Sequence, residues 1–419
     1  MKKNEQLEKG RIRLTLKRLK NSTVDSCLKL SIILILITGF PGLITSKAAS
    51  QQVILTEIAE INTGSKTVDV HITGDILYAL DDFQGLKIYN VSDPENPALI
   101  GRVYDSYTFA HAVVIDEDQG LAYIADFDDS FEIVDLSDLT APKIIGRYDN
   151  QMGNSGGTTD LSVAGKHVFL ASQYGGLEII DIEDPNNPVE VGSYYAGNSI
   201  NSVSAINDSL VCINEVGNGF KILDTSDLGN IIVLDHYPLT SGSVKDFVLI
   251  DSVLYVSGGA YGFLIFDISD PSAISKTSGK EFDSNHYIFE HIIKKQEKVT
   301  FAFLCAGDSG LIVLDVSDPL DIKEIVRFCD EDNGKAMSLS IQGDLIYVAD
   351  FEAKLEILEI SGLDLLSDTT SEHTTDTAVT ASGTGVLVLF SGLMACLAWK
   401  IKKKKAVNKL LSINWCFME

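Results

Sequence analysis

One polar residue recurs in each of seven segments otherwise rich in Val, Ile and Leu: Asp69, His111, Asp160, Ser202, Asp246, His291 and Ser338. They lie five positions before Gly74, Asp116, Gly165, Asn207, Asp251, Gln296 and Gly343, the turn residues that end these segments. Three carboxylates and two imidazoles are ligands suited to a divalent cation, or acid and base groups for a hydrolase or lyase. The same side chains could equally cap loop N–H groups and tie neighbouring repeats together, because buried polar groups need partners. Both uses stay open from the residues alone.

A second set falls where the next apolar runs end: Asp81, Asp126, Ser172, Asn214, Gly258, Ala306 and Asp350, with Asp82, Glu215, Asp308 and Glu352 nearby. Asp81, Asp126 and Asp350 are the candidates for an acidic face, suited to a cationic partner or one bridged by Ca²⁺. Asp116-Glu-Asp-Gln-Gly120 and Asp330-Glu-Asp-Asn-Gly334 resemble the opening of a Ca²⁺ loop but lack its full register and distal Glu. The cofactor expectation stops at Ca²⁺ or another divalent cation. Gly153-Asn-Ser-Gly-Gly157 matches a nucleophile elbow only as text, since no helix pattern follows it.

The elements that carry these residues repeat. The Asp of a Ser-Asp or Glu-Asp step falls at 93, 138, 184, 227, 270 and 318, so the period is 43 to 48 residues. Each unit holds four short apolar runs separated by turn residues, the size of one β-propeller blade. Helical periodicity is absent from this region. A seventh unit stops after its third run at Ile360, and an unattached run, Val53 to Ile61, precedes the first. Placing that run as the outer strand of the last blade closes the ring and removes its open edges. The expected fold is all-β: a seven-bladed β-propeller over 52–361, closed by an N-terminal strand.

The copies Leu86-Lys-Ile-Tyr-Asn-Val-Ser-Asp-Pro94, Phe263-Leu-Ile-Phe-Asp-Ile-Ser-Asp-Pro271 and Leu311-Ile-Val-Leu-Asp-Val-Ser-Asp-Pro319 resemble the LVIVD-repeat β-propellers of prokaryotic cell-surface proteins. The resemblance implies a fold and no particular chemistry. No Gly-His and Trp-Asp pairs of WD40 type occur, and Trp399 and Trp415 lie outside the repeats.

Both ends read as membrane signals. Residues 1–29 carry nine Lys or Arg, Leu30 to Phe40 is apolar, and small residues follow, so 1–49 is read as a signal peptide. Residues 362–377 form a Ser/Thr-rich stalk, 378–399 a transmembrane helix and 400–419 a basic cytoplasmic tail beginning at Lys400. The expected place is the cell membrane, single-pass, with the propeller extracellular and the C-terminus cytoplasmic.

Between 51 and 377 there are 17 Lys and Arg against 55 Asp and Glu. Such a surface disfavours nucleic acid and anionic lipid. Three cysteines there, Cys212, Cys305 and Cys329, are no disulfide framework. The expected function is an extracellular binding or adhesion module for a protein or glycan. The alternative is a metal-dependent hydrolase or lyase working at the central channel mouth.

Overall fold

The computed structural model describes residues 53–104, 109–127, 130–149, 157–173, 175–195, 197–239, 244–282, 286–296, 299–329, 334–363 and 370–371. The segments read as signal peptide, transmembrane helix and cytoplasmic tail lie outside these residues. No helix among the described residues is long and apolar enough to cross a membrane.

Seven antiparallel sheets follow one another along the chain, each with at least four strands. Blade one runs from the inside outward as Thr67–Thr73, Ile76–Asp81, Gly85–Asn90 and Ala98–Val103. We call these positions A to D. Inner strands of blades two to seven are Ala110–Asp116, Thr158–Ala164, Ile200–Asn207, Asp246–Ile250, Glu290–Gln296 and Ala336–Gln342. Blade seven takes its outer strand from the front of the chain: Ile54–Asn62 pairs antiparallel with Lys354–Ser361. The protein is therefore a seven-bladed β-propeller.

The core is divided into seven apolar layers, one between each pair of neighbouring blades. The layer between blades seven and one joins Tyr347, Leu355 and Ile357 to Val70, Ile72 and Leu77. Each blade buries both faces, so the strands are apolar runs and not alternating ones.

The repeated signature is turn chemistry. Asp135 Oδ1 accepts the Ser137 N–H (2.8 Å), and Asp138 Oδ1 accepts the Thr140 N–H (3.0 Å). The same two successive Asx turns recur at Asp267 and Asp270, and at Asp315 and Asp318. These bonds favour the ionised carboxyl. The Ser137 N–H holds Asp135 below its ordinary pKa, and the Thr140 hydroxyl does the same for Asp138. Gly101 completes the fit of the next blade: a Cβ there would meet Leu139 O at 1.8 Å. The Ca²⁺-loop look-alike at Asp116 is also a turn, its carboxylate accepting from Gln119 N–H (2.9 Å) and Gln119 Nε2 (2.9 Å).

Two further findings concern the inner edge of blade six and the thiols. Thr370–Ser371, within the segment read as a stalk, pairs with Lys294 and Ile293 as a fifth strand on the inner edge of blade six. Cys212, Cys305 and Cys329 are all free thiols, but only the first two are buried. Burial pushes Cys212 up to about 12 and Cys305 well above the usual thiol range. Maleimide labelling of the folded protein, read by mass spectrometry, should modify Cys329 and spare Cys212 and Cys305 until denaturant is added.

Candidate functional site

Strand A lines the central channel, and in five blades its pairing with strand B skips one residue near the mouth. The skipped residues are Val68, His111, Thr159, Asn201 and Met337. A β-bulge of this kind re-aims a side chain. Blades five and six pair without the skip and supply Lys245 and Phe289 just ahead of their inner strands. All seven of these side chains line one cavity of about 210 Å³ at the channel mouth.

The next rung of the channel is Asp69, Ala112, Asp160, Ser202, Asp246, Glu290 and Ser338. This corrects the counted ring at two positions. His111 sits one residue before its rung, because blade two has a four-residue A–B turn after Asp116. His291 sits one residue after its rung, because the blade-six hairpin runs on through Lys295↔Thr300 and Gln296↔Val299.

The rung residues bond from blade to blade. Asp69 Oδ2 accepts the Val113 N–H of blade two (2.7 Å), while its Oδ1 accepts Val70 N–H (2.8 Å) and the Ser338 hydroxyl of blade seven (2.7 Å). Asp160 Oδ1 takes Leu161 N–H (2.8 Å), and its Oδ2 takes Val203 N–H in blade four (2.8 Å). Asp246 Oδ2 accepts the His291 N–H of blade six (3.0 Å), and His291 Nδ1 lies 2.8 Å from the same oxygen. Ser202 Oγ donates to Lys245 O in blade five (3.0 Å). One rung further, Ser340 Oγ accepts Ile72 N–H and Ser162 Oγ accepts Ala205 N–H. Inner strands of neighbouring blades diverge too far for a ladder, so short side chains bridge their backbones.

Of the predicted ring, Asp69, His111, Asp160 and Asp246 line the cavity. Ser202, His291 and Ser338 are buried, and His291 also meets Ser257 Oγ (2.9 Å). No group of three His, Cys, Asp or Glu among the described residues is poised to hold a metal ion.

The cavity mouth has two unlike halves. Blades two to five give His111, Thr159, Asn201 and Lys245; blades six, seven and one give Phe289, Met337 and Val68. His111 is open to the channel, yet its walls desolvate the ring. That burial first, and the Lys245 charge second, lower its pKa below the ordinary histidine value. No single residue type recurs at these seven positions, so periodicity in the sequence does not reveal them.

The strand-B set is also corrected. Asp81, Asp126 and Asp350 are buried (0%, 0% and 2% exposed) and are not displayed on the face. Asn214 is replaced at the equivalent position by Glu215, which pairs with Gly219 across the turn as Asp81 pairs with Gly85. Two acids at these strand ends, Asp81 and Glu215, turn inward onto lysines of strand C. Lys87 pairs with Asp81, and Lys221 with Glu215. Asp350 instead caps Lys335 N–H (2.8 Å) and Glu352 N–H (2.9 Å). Among the described residues this face exposes the aromatics Phe83, Tyr104, Phe109 and Tyr195 and the acids Asp149, Asp308 and Glu352, with Lys335 3.5 Å from Asp308. Phe83 and Phe109 stack edge to face with centroids 4.7 Å apart.

Comparison with known families matches the LVIVD repeat at residues 64–105, 112–150, 155–196, 241–277, 300–329 and 333–367. The chain belongs to the LVIVD repeat family. The match passes over the whole of blade four, where the signature has decayed to Phe220-Lys-Ile-Leu-Asp-Thr-Ser-Asp227, but that blade of the LVIVD propeller keeps all four strands. No curated protein matches the chain. Among solved structures, the computationally designed Ika8 protein is similar, with TM-score 0.53 and 9% identity over 72% of this chain and 99% of that one. At that identity the likeness speaks for the fold alone.

Proposed function

We propose that the propeller is an extracellular binding module, anchored by a membrane helix at 378–399, that captures a protein or glycan on the face bearing its D–A and B–C turns. The observation that carries this is the exposed aromatic group on that face, led by the Phe83–Phe109 pair at 47% and 45% exposure. Exposed aromatics rimmed by carboxylates stack on sugar rings or clasp the stems of basic side chains. The anchoring rests on the apolar run and the lysines that follow it. The hydrolase or lyase alternative would draw on Asp69, His111, Asp160, Asp246 and His291, with a divalent cation. Those carboxylates already serve as backbone acceptors between blades, which favours binding over catalysis.

A glycan array probed with the full chain tests this. A hit should weaken about tenfold in Phe83→Ala/Phe109→Ala, the sum of two modest aromatic contacts. A hit unmoved by that double replacement would take the binding surface away from these turns.

A further inference from the structure

The channel mouth is a second, smaller site, distinct from the surface that meets a macromolecule. Its polar half is built to donate. Among the described residues, Lys245 carries the one ammonium group lining the cavity. Its backbone is fixed on both sides: its N–H donates to Ser257 O (2.8 Å), and its carbonyl accepts from Ser202 Oγ (3.0 Å). Its Nζ has no carboxylate salt-bridge partner among the described residues, and it stands over the Tyr287 ring, 5.9 Å from the centroid. Asn201 uses its side-chain oxygen to accept from Asn214, which leaves its NH₂ to donate. His111 lines the same arc as a neutral imidazole with one N–H. Thr159 contributes no further donor, because its hydroxyl is spent on Ala171 O (3.2 Å).

The opposite half, Phe289, Met337 and Val68, is apolar. A polar arc facing an apolar arc selects an amphiphile. The size is small: an apolar cavity of about 150 Å³ holds one benzene ring, and this one measures about 210 Å³. There is room for a ring and one polar group.

We infer that the channel mouth binds a small carboxylate with an apolar body, its oxygens on Lys245, Asn201 and His111 and its body against Phe289 and Met337. Asp69, Asp160, Asp246 and Glu290 also line the cavity and would favour an amine. The three aspartates, however, have their oxygens turned onto backbone N–H groups of the next blade and away from a ligand, so they and Glu290 oppose a carboxylate only through their field, which the benzylamine titration reads directly.

The test is titration of the full chain at neutral pH with benzoate and with benzylamine, read by saturation-transfer NMR. Lys245→Met and the control Lys295→Met, at the far end of the channel wall, are titrated alongside. Benzoate should saturate below about 10 mM. Lys245→Met should weaken it about tenfold or more, the effect of one charge-assisted contact. Lys295→Met should leave it unchanged. Three results would each overturn the inference: tighter saturation by benzylamine, equal benzoate binding in Lys245→Met, or no saturable benzoate binding.

Discussion

Removing residues 53–62 from the full chain is expected to open the ring and cost about 5 kcal/mol or more. Ile54–Asn62 supplies every outer-strand bond of blade seven, with Ile54 opposite Ser361 and Asn62 opposite Lys354. The strand also enters two core layers. Val53 and Leu55 pack into the layer between blades six and seven, while Ile58, Ala59 and Ile61 pack between blades seven and one. Partly burying five apolar side chains at ~1 kcal/mol each gives the estimate, before any ladder bonds are counted. The deletion would also bare Leu355 to Leu358 beside an unpaired edge, a template for association. Circular dichroism should show melting lowered by ~10 °C or more, and size exclusion should show concentration-dependent assembly. An unshifted melt with a monomeric profile would mean that the ring does not depend on this closure.

The closure was legible because it follows from counting. Six complete units, one unit short of its last strand, and one spare strand at the front leave a single economical arrangement. The blades were legible for the same reason: Leu-x-Ile-x-Asp-x-Ser-Asp spells an apolar strand followed by two Asx turns, and both are local. The rung facing the channel was legible at Asp69, Asp160, Ser202, Asp246 and Ser338, where turns have equal length. It failed at His111 and His291, where a longer turn and a longer hairpin shift the register by one residue in opposite directions. A bulge is a two-strand property, so nothing in a single strand says that Val68 or Asn201 is the residue turned into the channel. The acids at the ends of the B strands misled for a different reason. Position in a turn suggests exposure, but Lys87 and Lys221 come six residues after Asp81 and Glu215, and it is this pairing across the hairpin that draws them inside.

The Asp81–Lys87 pair is expected to give the largest single-residue effect. Both side chains are buried, with Lys87 Nζ reaching Asp81, Thr63 O and Gln84 Oε1 (2.8 Å), and Asp81 also accepting the Thr67 hydroxyl (2.9 Å). Burial nevertheless pushes Asp81 up to about 6, so desolvation outweighs the attraction of Lys87 and the hydrogen bonds. Lys87→Met leaves that carboxylate buried and unpaired, at a cost of about 3–5 kcal/mol at neutral pH. Asp81→Asn/Lys87→Met keeps an acceptor for Thr67 and removes both charges, and should return to within ~1 kcal/mol of the parent. The pH dependence has a definite sign. A carboxyl whose folded pKa is raised gives stability that is complete below its ordinary value of 3.8 and lost as pH rises through about 6. Asp81→Asn should therefore gain on the parent between pH 4 and pH 7. The turn aspartates such as Asp135 act oppositely, giving stability that is lost as pH falls through their lowered values. Chemical denaturation of the three variants at both pH values separates these terms. A double variant as unstable as Lys87→Met would show that the pair is held by its packing, and that the two buried charges oppose the fold far less than the raised Asp81 implies.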